Sequence, residues 1–331
     1  MGIFSSNSAD VFGLDIGFET LKLCETRRSG NSVKIVGLSE HHITERILDK
    51  DTIKNKAKVA NMIKEAMRKA KPHSIRANKI VTALPETFVF SKTIQVPKMG
   101  PKELTVAIPN EAAQYLPMPI VEVYIDYQVL VTHPEENRMD ILVAAAPKRL
   151  VDDYVEMAKM AKMELAALET KPVAVGRALI PEKSNEGIAI LHIGTEISRI
   201  SIWDKGDIRL ITTVSTGKNK LLESLGMVNK STEEISKISL DEEKKLNLML
   251  PLNSIIDEVA EAIRYHQNRG YKPSPIKHIE LCGTGALITG IDKIIESEIK
   301  IKTEVSSSQF NLRDSLHPQY LTAFGLSLRE I

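Results

Sequence analysis

Two nine-residue stretches hold the residue types from which a phosphate site is built. Residues 14–22 read Leu-Asp-Ile-Gly-Phe-Glu-Thr-Leu-Lys, and residues 191–199 read Leu-His-Ile-Gly-Thr-Glu-Ile-Ser-Arg. Apolar, polar, apolar and glycine positions coincide, a glutamate follows at one offset, and a cation stands five residues after each glycine. A glycine turn bares backbone N–H groups with no Cβ in the way, so phosphate oxygens can come close. Asp15 offers a hard oxygen for Mg²⁺, through water, and Lys22 a point cation for phosphate charge. Phe18, Glu19, Thr20, Gly194 and Thr195 complete the candidate loops around Gly17. Gly283-Thr284-Gly285, after a strand-like run, lets backbone pass close to a purine or ribose. Asp-x-Gly turns are common in plain hairpins, and Asp15 alone reads equally as a turn-capping carboxylate. The information lies in the pair of turns plus the third loop.

The elements that must position these turns follow from periodicity. Strands are expected at Val11–Ile16, Thr20–Thr26 and Val33–Leu38, a helix near Thr52–Ala70, and a strand at Lys79–Leu84 ended by Pro85. A block over 86–166 has its own order: strand Phe88–Val96, helix Pro101–Leu116, strands Val121–Thr132 and Met139–Ala145, helix Lys148–Lys162. It reads as an inserted subdomain. The second half starts again with strands Ile188–Ile193, Ile197–Trp203 and Ile208–Val214. Helices at 217–225, 231–238 and 253–268 follow, then strand Ile276–Cys282, a helix at 286–296, a strand at 299–305 and a helix near Tyr320–Leu328. The charge run Asp241–Lys245 reads as a solvated face.

At 331 residues the chain calls for two or more domains. Its net charge of +1 argues against nucleic acid as a main partner. Cys24 and Cys282 have no metal-ligand spacing and read as small core residues in a reducing cytosol. No apolar run approaches the roughly 20 residues of a membrane helix. Residues 1–10 lack the pattern of a signal peptide; Gly2 and Ser6 match the short myristoylation pattern, read here as coincidence. Any membrane association is expected to need a partner.

The paired turns and third loop resemble the actin, sugar-kinase and heat-shock-chaperone superfamily, where two phosphate loops and an adenosine loop meet in an interdomain cleft. Gly13–Gly17 with Lys22 is similar to the first phosphate loop, Leu191–Arg199 to the second, and Leu281–Ala286 to the adenosine loop. The run Glu103-Leu104-Thr105-Val106-Ala107-Ile108-Pro109-Asn110-Glu111-Ala112-Ala113-Gln114-Tyr115-Leu116-Pro117-Met118-Pro119, continuing through Glu122-Val123 to Asp126-Tyr127-Gln128-Val129, resembles the PilM proteins of type IV pilus machines. The resemblance covers nearly the whole chain. It implies an α/β actin-like (ribonuclease H-like) two-domain fold with an FtsA/PilM-type 1C insert. Subdomain 1A would span 10–85 and 167–184, 1C 86–166, 2A 185–226 and 274–331, and 2B 227–273. It implies ATP and Mg²⁺ in the cleft, with Asp15 toward the metal. It also implies a cytoplasmic scaffold, peripheral to the inner membrane, that takes the N-terminal tail of a PilN-like protein. That tail would lie in the groove between insert and first domain, bordered by the 101–116 helix. Self-association remains open.

Departures from the family pattern concentrate at the cleft. His192 stands where relatives usually have aspartate. Lys171, in Glu169-Thr170-Lys171-Pro172-Val173-Ala174, replaces the acid that by analogy would help position attacking water; it reads first as a surface lysine, second as a cation facing the γ-phosphate. Thr216-Gly217 replaces the usual Gly-Gly, keeping Gly217 as a candidate. Weak or absent ATPase activity is expected. Pro109 should kink its helix or cost about 3 kcal/mol. The rival readings are an FtsA-like filament protein, against which the absence of an amphipathic tail after Leu328–Ile331 is set, and a small-molecule kinase of the same superfamily.

Overall fold

The computed structural model describes residues 11–29, 32–49, 52–85, 88–181, 184–228, 230–268, 273–306, 308–310 and 316–331. The Gly2/Ser6 pattern lies outside the described residues.

Alternating and fully apolar runs produce the first sheet. Strands β1 (Val11–Ile16), β2 (Thr20–Ser29) and β3 (Ser32–His42) form an antiparallel meander. A minimal hairpin of β4 (Leu48–Asp49) and β5 (Thr52–Ile53) leads into helix α1 (Lys56–Lys69), capped by the Asn55 side chain. After the short β6 (Lys71–Pro72), strand β7 (Lys79–Leu84) returns parallel to β1. The β1 burial is complete on both faces, which marks a central strand under helices.

The insert then leaves this sheet: β8 (Phe90–Pro97), helix α2 (Pro101–Ala113), β9 (Val123–His133) and β10 (Arg138–Pro147). Its three strands run in the order β8-β10-β9 and pair antiparallel. Leu104, Ile108 and Ala112 of α2 pack on Ile94, Val96, Met139, Ile141 and Val143, one face of that sheet. Helix α2 runs through Pro109 without ending there.

Helix α3 (Lys148–Met160), expected to close the insert, packs elsewhere. Its Leu150, Tyr154 and Met157 share the core of Phe12, Leu14, Ile63 and Ile80. Strand β11 (Glu164–Thr170) then joins β7 in parallel, giving the sheet order β11-β7-β1-β2-β3-β6. Helix α4 (Lys171–Leu179) crosses to the second half.

The second sheet repeats the plan. Strands β12 (Gly187–Ile193), β13 (Ser198–Asp204) and β14 (Asp207–Val214) form the meander. Helices α5 (Lys218–Ser224), α6 (Thr232–Ile235) and α7 (Glu242–Gln267) follow. Strand β15 (Ile276–Cys282), helix α8 (Ile291–Ile299), strand β16 (Lys302–Val305) and helix α9 (Leu321–Ser327) complete the chain. The order β14-β13-β12-β15-β16, with β12, β15 and β16 parallel, matches β3-β2-β1-β7-β11 strand for strand.

Several expected boundaries move: α1 starts at Lys56 rather than Thr52 and β16 at Lys302 rather than 299, and two further shifts are larger. Helix α7 starts at Glu242, not near 253, because Asp241 accepts from the Lys244 N–H as its cap and Leu248, Leu252 and Ile255 are buried along one face despite Pro251. The helix expected at 286–296 is a 3-10 turn at Gly285–Leu287 followed by α8 from Ile291. Between the sheets lie α4 and α9, sharing a core with Cys24, Ile190, Trp203 and Cys282. Both thiols are free and buried; burial raises both, Cys24 to about 12, so they are inert packing groups.

Candidate functional site

The two sequence-related stretches fold as the same hairpin. Asp15 pairs across the ladder with Lys22, and His192 with Arg199. The Gly17 N–H donates to the Thr20 carbonyl at 2.9 Å, and the Gly194 N–H to the Ile197 carbonyl at 3.0 Å. The shared glycine turn thus has one hydrogen-bond geometry in both halves.

The two turns face each other across a cleft lined by Asp15, Gly17, Phe18, Thr20, Lys22, Lys171, His192, Gly194, Thr195, Gly283 and Thr284. Gly283 sits at φ +86, and a Cβ there would lie 2.4 Å from the Ile193 carbonyl oxygen; only glycine lets the third loop pass the second so closely. Three expected residues lie outside the lining. Gly285 packs against the Ile193 side chain. Gly217 caps α5, whose Lys218 and Asn219 N–H groups hold the Gly194 and Thr195 carbonyls at 2.7 and 3.0 Å. Glu19 spans the cleft mouth, accepting from Lys218 Nζ at 2.6 Å and Asn219 Nδ2 at 2.9 Å. Burial alone would raise its carboxyl, but those donors hold it below the usual range.

Lys171 corrects the surface reading: it is buried. Its Nζ lies 2.6 Å from Asp15 Oδ1, with both side chains 9% exposed, and donates to the Ile16 carbonyl at 3.2 Å. Burial by itself would raise the Asp15 carboxyl, yet Lys171 and then Lys22 more than offset it and leave it lowered. Burial lowers the Lys22 ammonium against the opposing pull of Glu40 and Asp15. His192 is partly exposed, but its Nδ1 is buried and has no hydrogen-bond partner among the described residues; Thr284 Oγ1 is in the same state. Burial, with Arg199 and Lys171 adding to it, pushes the imidazole down to about 3, so it is neutral at ordinary pH.

The cleft volume is only about 50 Å³. That is room for a few waters, against roughly 300–1,000 Å³ for a typical ligand pocket. The two orphaned polar atoms fit a polar ligand. A divalent metal fits less well. Asp15 is already matched by an ammonium, and no cluster of three metal-ligand side chains occurs among the described residues. Sequence reasoning missed Lys218, Asn219 and Gln319 at the cleft. The Gly217-Lys218-Asn219 run after the second meander was the available signal for the first two.

A second concavity lies between insert and first domain, about 410 Å³, lined by Tyr124–Gln128, Leu142, Ala144, Ala146, Leu168, Glu169 and Arg329. It faces the side of the insert sheet opposite α2. The expectation that the 101–116 helix borders this groove is therefore corrected: none of its residues line it. What does line it is the Asp126-Tyr127-Gln128 continuation of the same run. Among the described residues β9 pairs only with β10, so its outer edge is free of strand pairing, with the Tyr127 N–H donating to Asp126 Oδ1 at 2.9 Å. No helix among the described residues is long and apolar enough to cross a membrane.

Comparison with known proteins agrees with this architecture. A PilM–PilN type IV pilus biogenesis complex matches at a TM-score of 0.79 and 23% identity, over 98% of this chain and 99% of that one. The ethanolamine utilization protein EutJ from Carboxydothermus hydrogenoformans matches at 0.55 and 17%, over 96% and 88%. MreB5 of Spiroplasma citri, crystallised with AMPPNP, matches at 0.53 and 14%, over 96% and 95%. The fold is thus actin-like, and proteins that share it have been crystallised with nucleotide. The family described as type IV pilus assembly protein PilM matches residues 13–331, so this chain belongs to the PilM family of type IV pilus assembly proteins.

Proposed function

We propose that the chain is a cytoplasmic scaffold that binds the N-terminal tail of a PilN-like inner-membrane protein in the groove between insert and first domain. The observation that carries this is the groove itself. Five consecutive residues of an edge strand, Tyr124–Gln128, line it, and an extended peptide can add to such an edge through main-chain hydrogen bonds. Recruitment by that tail makes the protein peripheral to the membrane without a span of its own. The packing of α3 on the first domain, where α8 stands in the second, supports ending the insert near Pro147 and giving 148–170 to subdomain 1A.

The facing loops form the second part of the reading: a nucleotide site on Asp15, Gly17, Phe18, Thr20, Lys22, Gly194, Thr195, Gly283 and Thr284, with Gly217 and Gly285 supporting it from behind and Glu19 bridging its mouth. Hydrolysis there is weak or absent, because a lysine and a neutral imidazole occupy the positions from which carboxylates would orient water and balance charge. A photo-crosslinker tests the partner site directly. Placed at Gln128 it should capture the tail peptide; placed at Val106, exposed on α2, it should not. Capture from Val106 alone would sink the groove assignment.

A further inference from the structure

We infer that Lys171 is the cleft's resident cation, so that a nucleotide's polyphosphate binds here on side-chain ammonium and guanidinium groups and loop amides, without a divalent metal. This rests on the nucleotide reading above and names how that site neutralises its ligand. Three observations converge. The Lys171 ammonium sits 2.6 Å from Asp15 and is tied by a second bond to the end of β1. Its backbone is held at the start of α4, before Pro172, so the group is built in rather than swung in from the surface. The remaining acids nearby are engaged: Glu19 with Lys218 and Asn219, Glu196 with Asn219, and Glu40 with Lys22, Gln319 and Tyr320.

The charge balance follows. Lys22, Lys171 and Arg199 line the cleft against Asp15 and Glu196, while His192 is neutral. A phosphate tail meets a net positive wall without help. Mg²⁺ needs near-octahedral oxygen ligands and usually takes one or two carboxylates besides phosphates. At Asp15 it would meet an ammonium already on that carboxylate, and like charges repel strongly in a poorly solvated site. Metal and lysine would therefore crowd two like charges onto one carboxylate, and the lysine is covalently tethered.

The test is ATP binding by calorimetry and thermal shift in excess EDTA and in excess Mg²⁺. Wild-type affinity in EDTA should equal or exceed that in excess Mg²⁺, where most ATP is already complexed by the metal, whereas a metal-requiring site would lose at least about tenfold in EDTA. Lys171→Met should weaken binding in EDTA about tenfold or more, and Lys171→Glu should make binding depend on Mg²⁺. With Mn²⁺ as probe, electron paramagnetic resonance should show protein-bound metal in the Lys171→Glu complex and none in the wild-type complex. Wild-type binding only with Mg²⁺ would overturn the inference and leave the nucleotide site standing. No binding in either condition would overturn both. If either variant fails to fold, the wild-type comparison and its Mn²⁺ spectrum still decide.

Discussion

At the scale of single residues, the Asp15–Lys171 pair is the most consequential contact. Breaking one side of a buried ion pair leaves an uncompensated charge, whereas removing both sides is far milder. Asp15→Asn should therefore destabilise the fold by about 3 kcal/mol in urea titrations, and Asp15→Asn with Lys171→Met should recover more than half of that loss. Strict additivity would contradict the pairing. His192 sets a pH dependence. In the unfolded chain it takes a proton near its usual 6.5, and in the fold only near 3. Unfolding thus takes up a proton between those values, and stability falls as pH falls through that window, by up to about 1.4 kcal/mol per pH unit. His192→Gln should flatten this slope; an unchanged slope would show that the imidazole is not held neutral. Lys171 also marks where sequence reading ran out. A lysine in a turn-like segment reads as exposed because lysines usually are, and its partner lies 156 positions away on another strand, beyond any local pattern.

At the scale of elements, periodicity was a good guide where local and global demands agree. Strands β1, β7 and β15 begin and end where their apolar runs do. It misled where tertiary burial overrode a local rule. Pro251 argues for a helix boundary, yet α7 continues through it because Leu248 on one side and Leu252 on the other enter the same core. Helix α3 looked like the end of the insert because amphipathic spacing shows that a helix has a buried face, not which sheet buries it. The crossing of α4 and α9 is equally invisible locally. A Cβ on Gly325 would lie 1.8 Å from the Ala174 carbonyl oxygen, which is backbone and cannot swing aside. Gly325→Ala should cost at least about 2 kcal/mol by denaturation, since overpacking of a rigid contact forces the elements apart. Full retention of stability would mean that the two helices cross less closely.

At the scale of the whole molecule, the repeated strand order explains why the two sequence stretches echo each other. Each hairpin is the first turn of its own sheet, and the helices between the sheets set the turns face to face. The same geometry separates the two proposed sites. Lys171 begins α4 in the cleft, while Glu169, two residues earlier, lines the groove and takes bonds from Arg177 at 2.7 and 2.8 Å and from Arg329 at 2.6 Å. The groove is open as it stands, whereas the cleft must widen to admit a nucleotide. Partner binding is therefore the more direct test of the account. Fluorescence anisotropy should be titrated with the labelled N-terminal tail of a PilN-like protein, using wild-type protein, Gln128→Trp in the groove and Val106→Trp on the far face of the insert. The account predicts saturable binding to wild type and to Val106→Trp, and at least about tenfold weaker binding to Gln128→Trp at unchanged melting temperature. Equal affinity for all three, or loss only with Val106→Trp, would contradict it.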